Sequence, residues 1–292
     1  MKFNWMIVTA MTLVLGTSYG TAEAESKAKA EKLVTLGGSI TETVVALGHQ
    51  AKIVAVDTTS VYPSDVVSTL PNVGYVRKLS SEGILSLGPT MVIATSDAGP
   101  KIALDQVKST GVKVEIVDKG HTVEETKSAI ESLGKLLGEE KKAADLVRNI
   151  DVNLAEAKKV SEQYTKKPRI LFIYARGARI LNVSGKNTSA HSVIELAGAE
   201  NAFGNVEGYK PLTAEAVVAA QPDVILMLSR GVDSLGGEPK VLDLPGLKLT
   251  PAGKNKRVVV MDDMKLLGFG PRLGEAVLEL SKALKAGEAE VI

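Results

Sequence analysis

The sequence predicts an α/β protein with two doubly wound, Rossmann-like lobes, joined by a long rigid helix and enclosing a ligand cleft. Three observations carry this prediction. Short β-branched runs alternate with helical stretches in both halves, a turn-and-helix segment occurs twice, and a proline-free run of good helix formers separates the halves. Continuous apolar strands separated by helices are typical of parallel sheets covered by helices. A chain of 292 residues has room for two domains of ordinary size.

The elements follow from local signals taken in chain order. In the first half, β-branched runs predict strands at 33–36, 52–56, 91–94 and 112–116. A glycine turn, a cap at Ser39 and a helix ended by Gly48 follow the first of these strands. Residues 122–164 predict one or two long helices. The second half repeats the scheme with strands at 169–174, 223–227 and 257–261 and an amphipathic closing helix at 270–284.

The duplicated segment supports the two-lobe prediction. Each copy has a glutamate in the first turn of a short apolar helix, Glu82 or Glu215, then a proline seven residues later and a β-branched strand. A tyrosine precedes each copy, Tyr75 or Tyr209. A repeated pattern has architectural meaning. We therefore expect two related lobes, each offering a tyrosine-bearing loop and an acidic helix start to a cleft between domains, which is a favoured position for small-molecule sites.

A simpler interpretation of each copy stays open. Ser80 and Thr213 precede the two short helices, where a hydroxyl caps free amide groups. The two glutamates would then only complement the helix dipole.

Composition and the N-terminus indicate the compartment and exclude several functions. The chain has 35 Lys and Arg against 34 Asp and Glu, so a nucleic-acid partner has no electrostatic support. It has no cysteine, which excludes disulfides, thiolate metal sites and a lipid-anchored cysteine. Lys2, an apolar stretch at 5–15 and an Ala-Glu-Ala site at 22–24 predict a cleaved signal peptide and a periplasmic protein.

The predicted domains are 1–24 (signal), 25–137 (N-terminal lobe), 138–166 (inter-lobe helix) and 167–292 (C-terminal lobe).

The sequence lacks the residue motifs of most catalytic and metal-binding sites. His49, His121 and His191 are scattered without metal-ligand spacing, so we expect a structural role for each. Gly37 and Gly38 precede a helix and could cradle a phosphate. The P-loop and dinucleotide patterns are absent, however, and a helix-entry turn is expected instead. No Ser-His-Asp order or carboxylate pair stands out.

Tyrosines and arginines in predicted loops remain as ligand-binding candidates: Tyr62, Tyr75, Arg77, Arg176, Arg179, Tyr209 and Arg230. A phenolate is a hard anionic donor and a known axial ligand of haem iron. The free phenol has a pKa of about 10, so it needs the metal or a nearby cation to ionise. Arg77 or Arg230 could supply that cation, and guanidinium groups also match the carboxylates of haem propionates. The alternative is that Tyr75 is a packing or rim aromatic.

These residues, with their neighbours, resemble the periplasmic haem-binding proteins of ABC-type haem importers. Those proteins belong to a class with a long inter-lobe helix that also serves cobalamin and siderophores. The resemblance covers essentially the whole mature chain. Its motifs are Leu36-Gly-Gly-Ser-Ile-Thr-Glu42, Val73-Gly-Tyr75-Val-Arg77 before the Leu-Ser-Ser-Glu82 helix, Leu235-Gly-Gly237, Pro245-Gly-Leu247 with Thr250-Pro-Ala-Gly253, and Leu266-Leu-Gly-Phe-Gly-Pro-Arg272.

The resemblance implies that Tyr75 coordinates ferric haem, which is bound as the transported ligand, and that Arg230 from the other lobe supports it. It also implies that Glu82 and Glu215 dock on arginines of an inner-membrane ABC permease, which works with its ATPase. Tyr209 and His191 leave open a second axial contact or a second haem. The expected protein is a monomer that binds haem and no nucleic acid, and it is not an enzyme.

Two alternatives remain. One is a siderophore- or corrinoid-binding protein of the same fold, although the low aromatic content and the Tyr75 and Arg77 loop favour haem over a corrinoid. The other is a tetrapyrrole or nucleotide enzyme on paired doubly wound domains, which the fold alone would permit. The export signal and the missing nucleotide fingerprint argue against it.

Overall fold

The first sheet is parallel and carries the first lobe. The computed structural model describes Met1, residues 31–118 and residues 120–287, so the predicted signal peptide after Met1 lies outside the described residues. The strands run in the order β2-β1-β3-β4, all parallel. They are β1 (Leu33–Leu36), β2 (Ile53–Val56), β3 (Met91–Thr95) and β4 (Lys113–Val117). Every residue of β1 and β3 is buried, as expected for central strands covered on both faces.

Four helices accompany this sheet: α1 (Gly38–Ala46), α2 (Ser64–Val67), α3 (Ser81–Leu85) and α4 (Lys101–Ser109). The first begins two residues earlier than predicted, because its N-cap is Gly37 and Ser39 lies inside the helix. Gly37 has a φ of 113°, which only glycine adopts easily. The amide of Gly37 donates to Asp57 Oδ1 at 2.8 Å and that of Gly38 to Thr59 Oγ1 at 3.1 Å. The glycine pair is thus the expected helix-entry turn, and side chains already accept from its amides.

Two long helices follow, α5 (Val123–Leu137) and α6 (Glu140–Ser161), as the helix-forming run predicts. A capping box between Thr122 and Glu125 starts α5, and Gly138 in the left-handed region ends it. Along the chain, the 22-residue helix α6 lies after the strands of the first sheet and before those of the second.

The second sheet is mixed, which the sequence did not predict. Its strands are β5 (Arg169–Ala175), β6 (Leu181–Ser184), β7 (Glu200–Asn201), β8 (Tyr209–Pro211), β9 (Val224–Leu228) and β10 (Val258–Met261). The order is β10-β9-β5-β6-β8, and β7 also pairs with β5. The predicted strands β5, β9 and β10 are parallel, whereas β6 and β8 add an antiparallel edge. The strands β6, β7 and β8 have only two to four residues, some of them polar and exposed. Such short segments show no detectable alternation of apolar and polar residues.

The α-helices that accompany the second sheet among the described residues are α7 (Ser189–Leu196), α8 (Ala214–Ala220), α9 (Ser229–Leu235), α10 (Glu238–Val241), α11 (Pro251–Lys254), α12 (Asp263–Leu267) and α13 (Leu273–Ala286). The closing helix α13 packs along α6, and Gly274 lies close to the α6 backbone. A Cβ atom there would lie 2.6 Å from the carbonyl oxygen of Ile150. We call β1–β4 with α1–α4 lobe 1, and β5–β10 with α7–α13 lobe 2.

Both lobes belong to one compact unit that begins at Glu31. The predicted domain limits at 137, 138, 166 and 167 stay predictions. No helix in the described ranges has both the length and the apolar character needed to cross a membrane.

Candidate functional site

A cleft of about 540 Å³ lies between the lobes, at the carboxyl ends of the parallel strands of both sheets. Loops at these strand ends are where open α/β sheets bind ligands. Lobe 1 contributes segments that follow β1, β2 and β3, and lobe 2 contributes segments that follow β5, β9 and β10. The lining residues are Gly37, Gly38, Ser39, Thr58, Thr59, Val61, Tyr75, Val76, Arg77, Thr95, Asp97, Tyr174, Arg176, Leu228, Arg230, Asp263, Met264, Leu267 and Gly268.

Tyr75 and Arg77 form a hydrogen-bonded pair on the lobe 1 wall. Arg77 Nη1 donates to the Tyr75 hydroxyl oxygen at 2.9 Å, and its other terminal nitrogen forms an ion pair with Asp97. Asp97 in turn accepts from the Thr95 hydroxyl at 2.6 Å, at the end of β3. Burial lowers the pKa of Arg77, but attraction to Asp97 and the contact with Tyr75 outweigh it and raise the pKa overall. A permanent cation is therefore held against the oxygen of Tyr75, whose side chain is 40% exposed to the cleft.

A second pair of the same kind lies on the lobe 2 wall, and the sequence analysis did not recognise it. Arg176 Nε donates to the hydroxyl oxygen of Tyr174, and the guanidinium carbon lies 5.5 Å from the centre of that ring. Both residues line the cleft at the end of β5. The contact with Tyr174 raises the pKa of Arg176. The Tyr-x-Arg spacing, which recurs at 75 and 77, is the signal that could have identified this pair.

Arg230 lines the cleft from α9, not from a loop as predicted. The glycine-rich stretch around it folds as a helix, because Gly236 supplies a left-handed end after Leu235. Its backbone amide faces the Asp263 carboxylate at 3.3 Å. The exposed guanidinium has no ion pair among the described residues, so it can reach an anionic ligand.

Tyr209 is not among the lining residues and lies at an exposed position on the edge strand β8 instead of a loop. Its ring meets that of Tyr174 edge to face, with centroids 6.0 Å apart. Desolvation, with a smaller effect of the nearby Tyr174, raises the pKa of Tyr209 to about 12. Of the other loop candidates, Tyr62 lies under the guanidinium of Arg272, and Arg179 is exposed outside the cleft lining.

The three histidines are dispersed. His191 lies within α7, as predicted, but it lines a separate cavity of about 850 Å³ in lobe 2 and not the cleft. Its Nδ1 lies 3.2 Å from the amide nitrogen of Asn201. His121 contacts the Ser189 hydroxyl at 3.1 Å, and His49 contacts Glu139 at 3.3 Å. In the ranges that the structure describes, no group of three or more histidines, cysteines or carboxylates could hold a metal ion.

Glu82 and Glu215 occupy matching positions outside the cleft. Each is exposed in the first turn of its helix, α3 or α8. Ser80 accepts from the Gly83 amide at 3.4 Å and Thr213 from the Ala216 amide at 3.2 Å, so the hydroxyls cap both helices as expected. The glutamates make no ion pair among the described residues. The amide groups are already capped, which leaves both carboxylates available to a partner.

Comparison with known proteins identifies the kind of molecule. The family described as periplasmic binding protein matches residues 33–264. The solved apo structure of the periplasmic heme-binding protein RhuT from Roseiflexus sp. RS-1 is 39% identical, covers 89% of this chain and 99% of its own, and gives a TM-score of 0.85. The periplasmic heme-binding protein BhuT in complex with two hemes is also 39% identical, with 88% and 98% covered and a TM-score of 0.82.

A curated relative comes from Bacillus subtilis (strain 168). It is the uncharacterized ABC transporter substrate-binding lipoprotein YvrC, which is 30% identical over 88% of this chain and 81% of its own length. All of these similarities span both lobes. They confirm the predicted two-lobed α/β fold, and they agree with the expectation of a binding protein and not an enzyme.

Proposed function

We propose that this chain, which belongs to the periplasmic binding protein family, has a haem-delivery function. In this proposal the protein captures ferric haem in the inter-lobe cleft and delivers it to an inner-membrane ABC transporter. The observation that carries the proposal is the Tyr75 hydroxyl, exposed in the cleft and hydrogen-bonded to the guanidinium of Arg77. Haem binding by the similar proteins RhuT and BhuT supports the choice of ligand.

The chemistry of the cleft suits a ferric tetrapyrrole. Ferric iron is a hard cation, and a phenolate is a hard anionic donor that can serve as an axial ligand of haem iron. Arg77 would stabilise the anionic form of Tyr75 through its hydrogen bond. The free guanidinium of Arg230 would pair with a propionate carboxylate across the cleft. Tyr75 is therefore the proposed iron ligand, with Arg77 and Arg230 as its supporting cations.

The cleft also supports a second anionic contact. Tyr174 with Arg176 faces the cleft from lobe 2 and repeats the arrangement of Tyr75 with Arg77. The similar protein BhuT forms a complex with two hemes, which supports more than one ligand contact in this fold. We therefore assign the second axial contact to Tyr174. Tyr209, with its raised pKa, would stay protonated and act as the aromatic support of the Tyr174 ring.

Delivery would use the two acidic helix starts. Glu82 on lobe 1 and Glu215 on lobe 2 would dock on arginines of the permease, whose ATPase drives transport. YvrC, an ABC transporter substrate-binding protein by name, supports this role.

The working form would be a monomer in the periplasm, released by cleavage after residue 24. Intact mass of the exported protein tests the cleavage, since retention of Lys2 would contradict it.

The test is a hemin titration of the mature protein, followed in the Soret band. We expect saturable binding, and we expect Tyr75→Phe to lose well over tenfold in affinity, more than about 1.4 kcal/mol, with changed charge-transfer bands. The control is Tyr164→Phe, because the Tyr164 hydroxyl donates to the backbone carbonyls of Ala197 and Ser281, outside the cleft. An unchanged spectrum and affinity in Tyr75→Phe would contradict the assignment.

Other ligands give distinct outcomes. Binding of a corrinoid or a ferric siderophore without a response to hemin would favour the alternative of the same fold. Turnover of a tetrapyrrole or nucleotide would favour an enzyme.

A further inference from the structure

A buried ion pair joins the two lobes. Glu42 lies on α1 of lobe 1 and is 4% exposed, while Arg272 precedes α13 of lobe 2. Arg272 Nε donates to Glu42 Oε1 at 2.7 Å, and Nη2 donates to Oε2 at 3.0 Å. This is the two-point geometry that fixes both the distance and the relative orientation of the two groups. The partners are 230 residues apart in the chain, so the contact links the lobes directly.

Arg272 also holds a loop of lobe 1. Its guanidinium carbon lies 3.5 Å from the centre of the Tyr62 ring, in cation–π contact. Tyr62 ends the segment after β2, and Thr58, Thr59 and Val61 of that segment line the cleft. A single arginine of lobe 2 thus contacts two elements of lobe 1 that form the cleft wall.

The lobes meet closely next to this cluster. A Cβ atom on Gly38 would lie 2.4 Å from Met264 Cε, and one on Gly270 would lie 3.5 Å from Ser39 Cβ. Gly38, Ser39 and Met264 all line the cleft. Glu42 follows Ser39 by about one helical turn on α1. The ion pair is therefore placed where a small shift between the lobes changes the shape of the cleft.

The two charges support each other, and Asp262 adds a second carboxylate with its Oδ1 3.6 Å from Arg272 Nη2. Burial raises the pKa of Glu42, although the hydrogen bonds and charge of Arg272 oppose this. Burial lowers the pKa of Arg272, but Glu42 outweighs it and raises the pKa overall. Removing Arg272 would leave the Glu42 carboxylate buried without its cation, which is strongly unfavourable.

We propose that the Glu42, Arg272 and Tyr62 cluster is a positioning device that fixes the angle between the lobes and keeps the cleft formed before the ligand arrives. The helix α6 supplies the covalent connection between the lobes. The cluster supplies a second, non-covalent one. These residues need not touch the ligand, and they act through the cleft walls that they hold.

The absence of native cysteine makes a direct distance measurement practical. Spin labels on Lys108→Cys in α4 and Lys254→Cys in α11, both at exposed positions, report the distance between the lobes. We expect a narrow distance distribution in the otherwise wild-type apo protein. Glu42→Gln and Arg272→Met should each broaden or shift it. The control is Glu200→Gln, which removes an ion pair of 2.6 Å with Arg169 inside lobe 2 and should leave the distribution unchanged.

A double variant guards against a folding failure in the single variants. Glu42→Leu with Arg272→Met removes both charges, so no unpaired charge remains buried, and such replacements are often tolerated. Far-ultraviolet circular dichroism should show that it folds, while the inter-lobe distances broaden. A folded double variant with the wild-type distance distribution would overturn the proposal. Because no ligand is added, this result is independent of whether the cleft binds haem.

Discussion

The contact between Arg77 and Tyr75 predicts a specific energetic coupling in ligand binding. The donor and acceptor atoms are 2.9 Å apart, a full hydrogen bond. The side chains are 58% and 40% exposed, so water screens the charge. Exposed charge contacts contribute about 0.2–1 kcal/mol, and hydrogen bonds to charged groups about 1.5–3 kcal/mol. We therefore expect Arg77→Gln to cost about 1 kcal/mol of hemin binding, roughly fivefold in affinity.

The assay is a double-mutant cycle with hemin titrations of wild type, Arg77→Gln, Tyr75→Phe and the double variant. If Arg77 acts by stabilising the phenolate, its substitution has little effect once the phenol is gone. The matched control is Arg148→Gln, which removes an exposed cation paired with Asp145 on α6 and tests for an effect of net charge alone. An equal loss of affinity from Arg77→Gln in both backgrounds would refute the reasoning, and would assign Arg77 to direct contact with the ligand.

Three further predictions test other parts of the molecule. Glu82→Lys with Glu215→Lys should abolish haem uptake in cells while hemin affinity stays near wild type; lost affinity would make these residues part of the cleft. The pKa of about 12 keeps Tyr209 protonated, so its contribution to stability is present below the unfolded pKa of about 10 and declines as the pH rises through 12. Tyr209→Phe should therefore remove a late-titrating phenol from the ultraviolet titration and reduce the loss of stability between those pH values; an unchanged loss of stability would contradict this. Phe172 is fully buried, so Phe172→Ala should lower the free energy of unfolding by about 3–5 kcal/mol in urea titrations; a loss below 1 kcal/mol would mean that the site collapses around the cavity.

Helices and strands with a clear pattern of apolar residues, or with a recognisable helix-capping residue, could be predicted from the sequence. The runs that form β1, β3, β5 and β9 are apolar and β-branched, and burial on both faces explains that pattern. The short strands β6 and β8 could not be predicted in this way, since only two of the four residues of β6 are buried and the edge strand β8 is exposed throughout. The glycines after Ser229 favour a loop, yet two of them end the helix α9.

The candidate site was predictable only where its chemistry is local. Tyr75 and Arg77 are two residues apart, so their contact could be expected from spacing alone. The cross-lobe pair of Glu42 and Arg272 could not, because nothing in a single sequence relates residues 230 positions apart. The resemblance left His191 open as a second axial contact, but in the structure His191 lines a different cavity in lobe 2 and not the cleft.

The packing of α13 against α6 has a consequence for the order of folding. The last helix of the chain closes onto the connector between the lobes, with Gly274 in close contact with Ile150. Domains generally fold from the N-terminus during synthesis, so lobe 1 and α6 emerge while the surface that receives α13 is still bare. The surface of α6 that faces Gly274 is therefore covered only once α13 has been made. A chain truncated before α13 would leave that surface exposed.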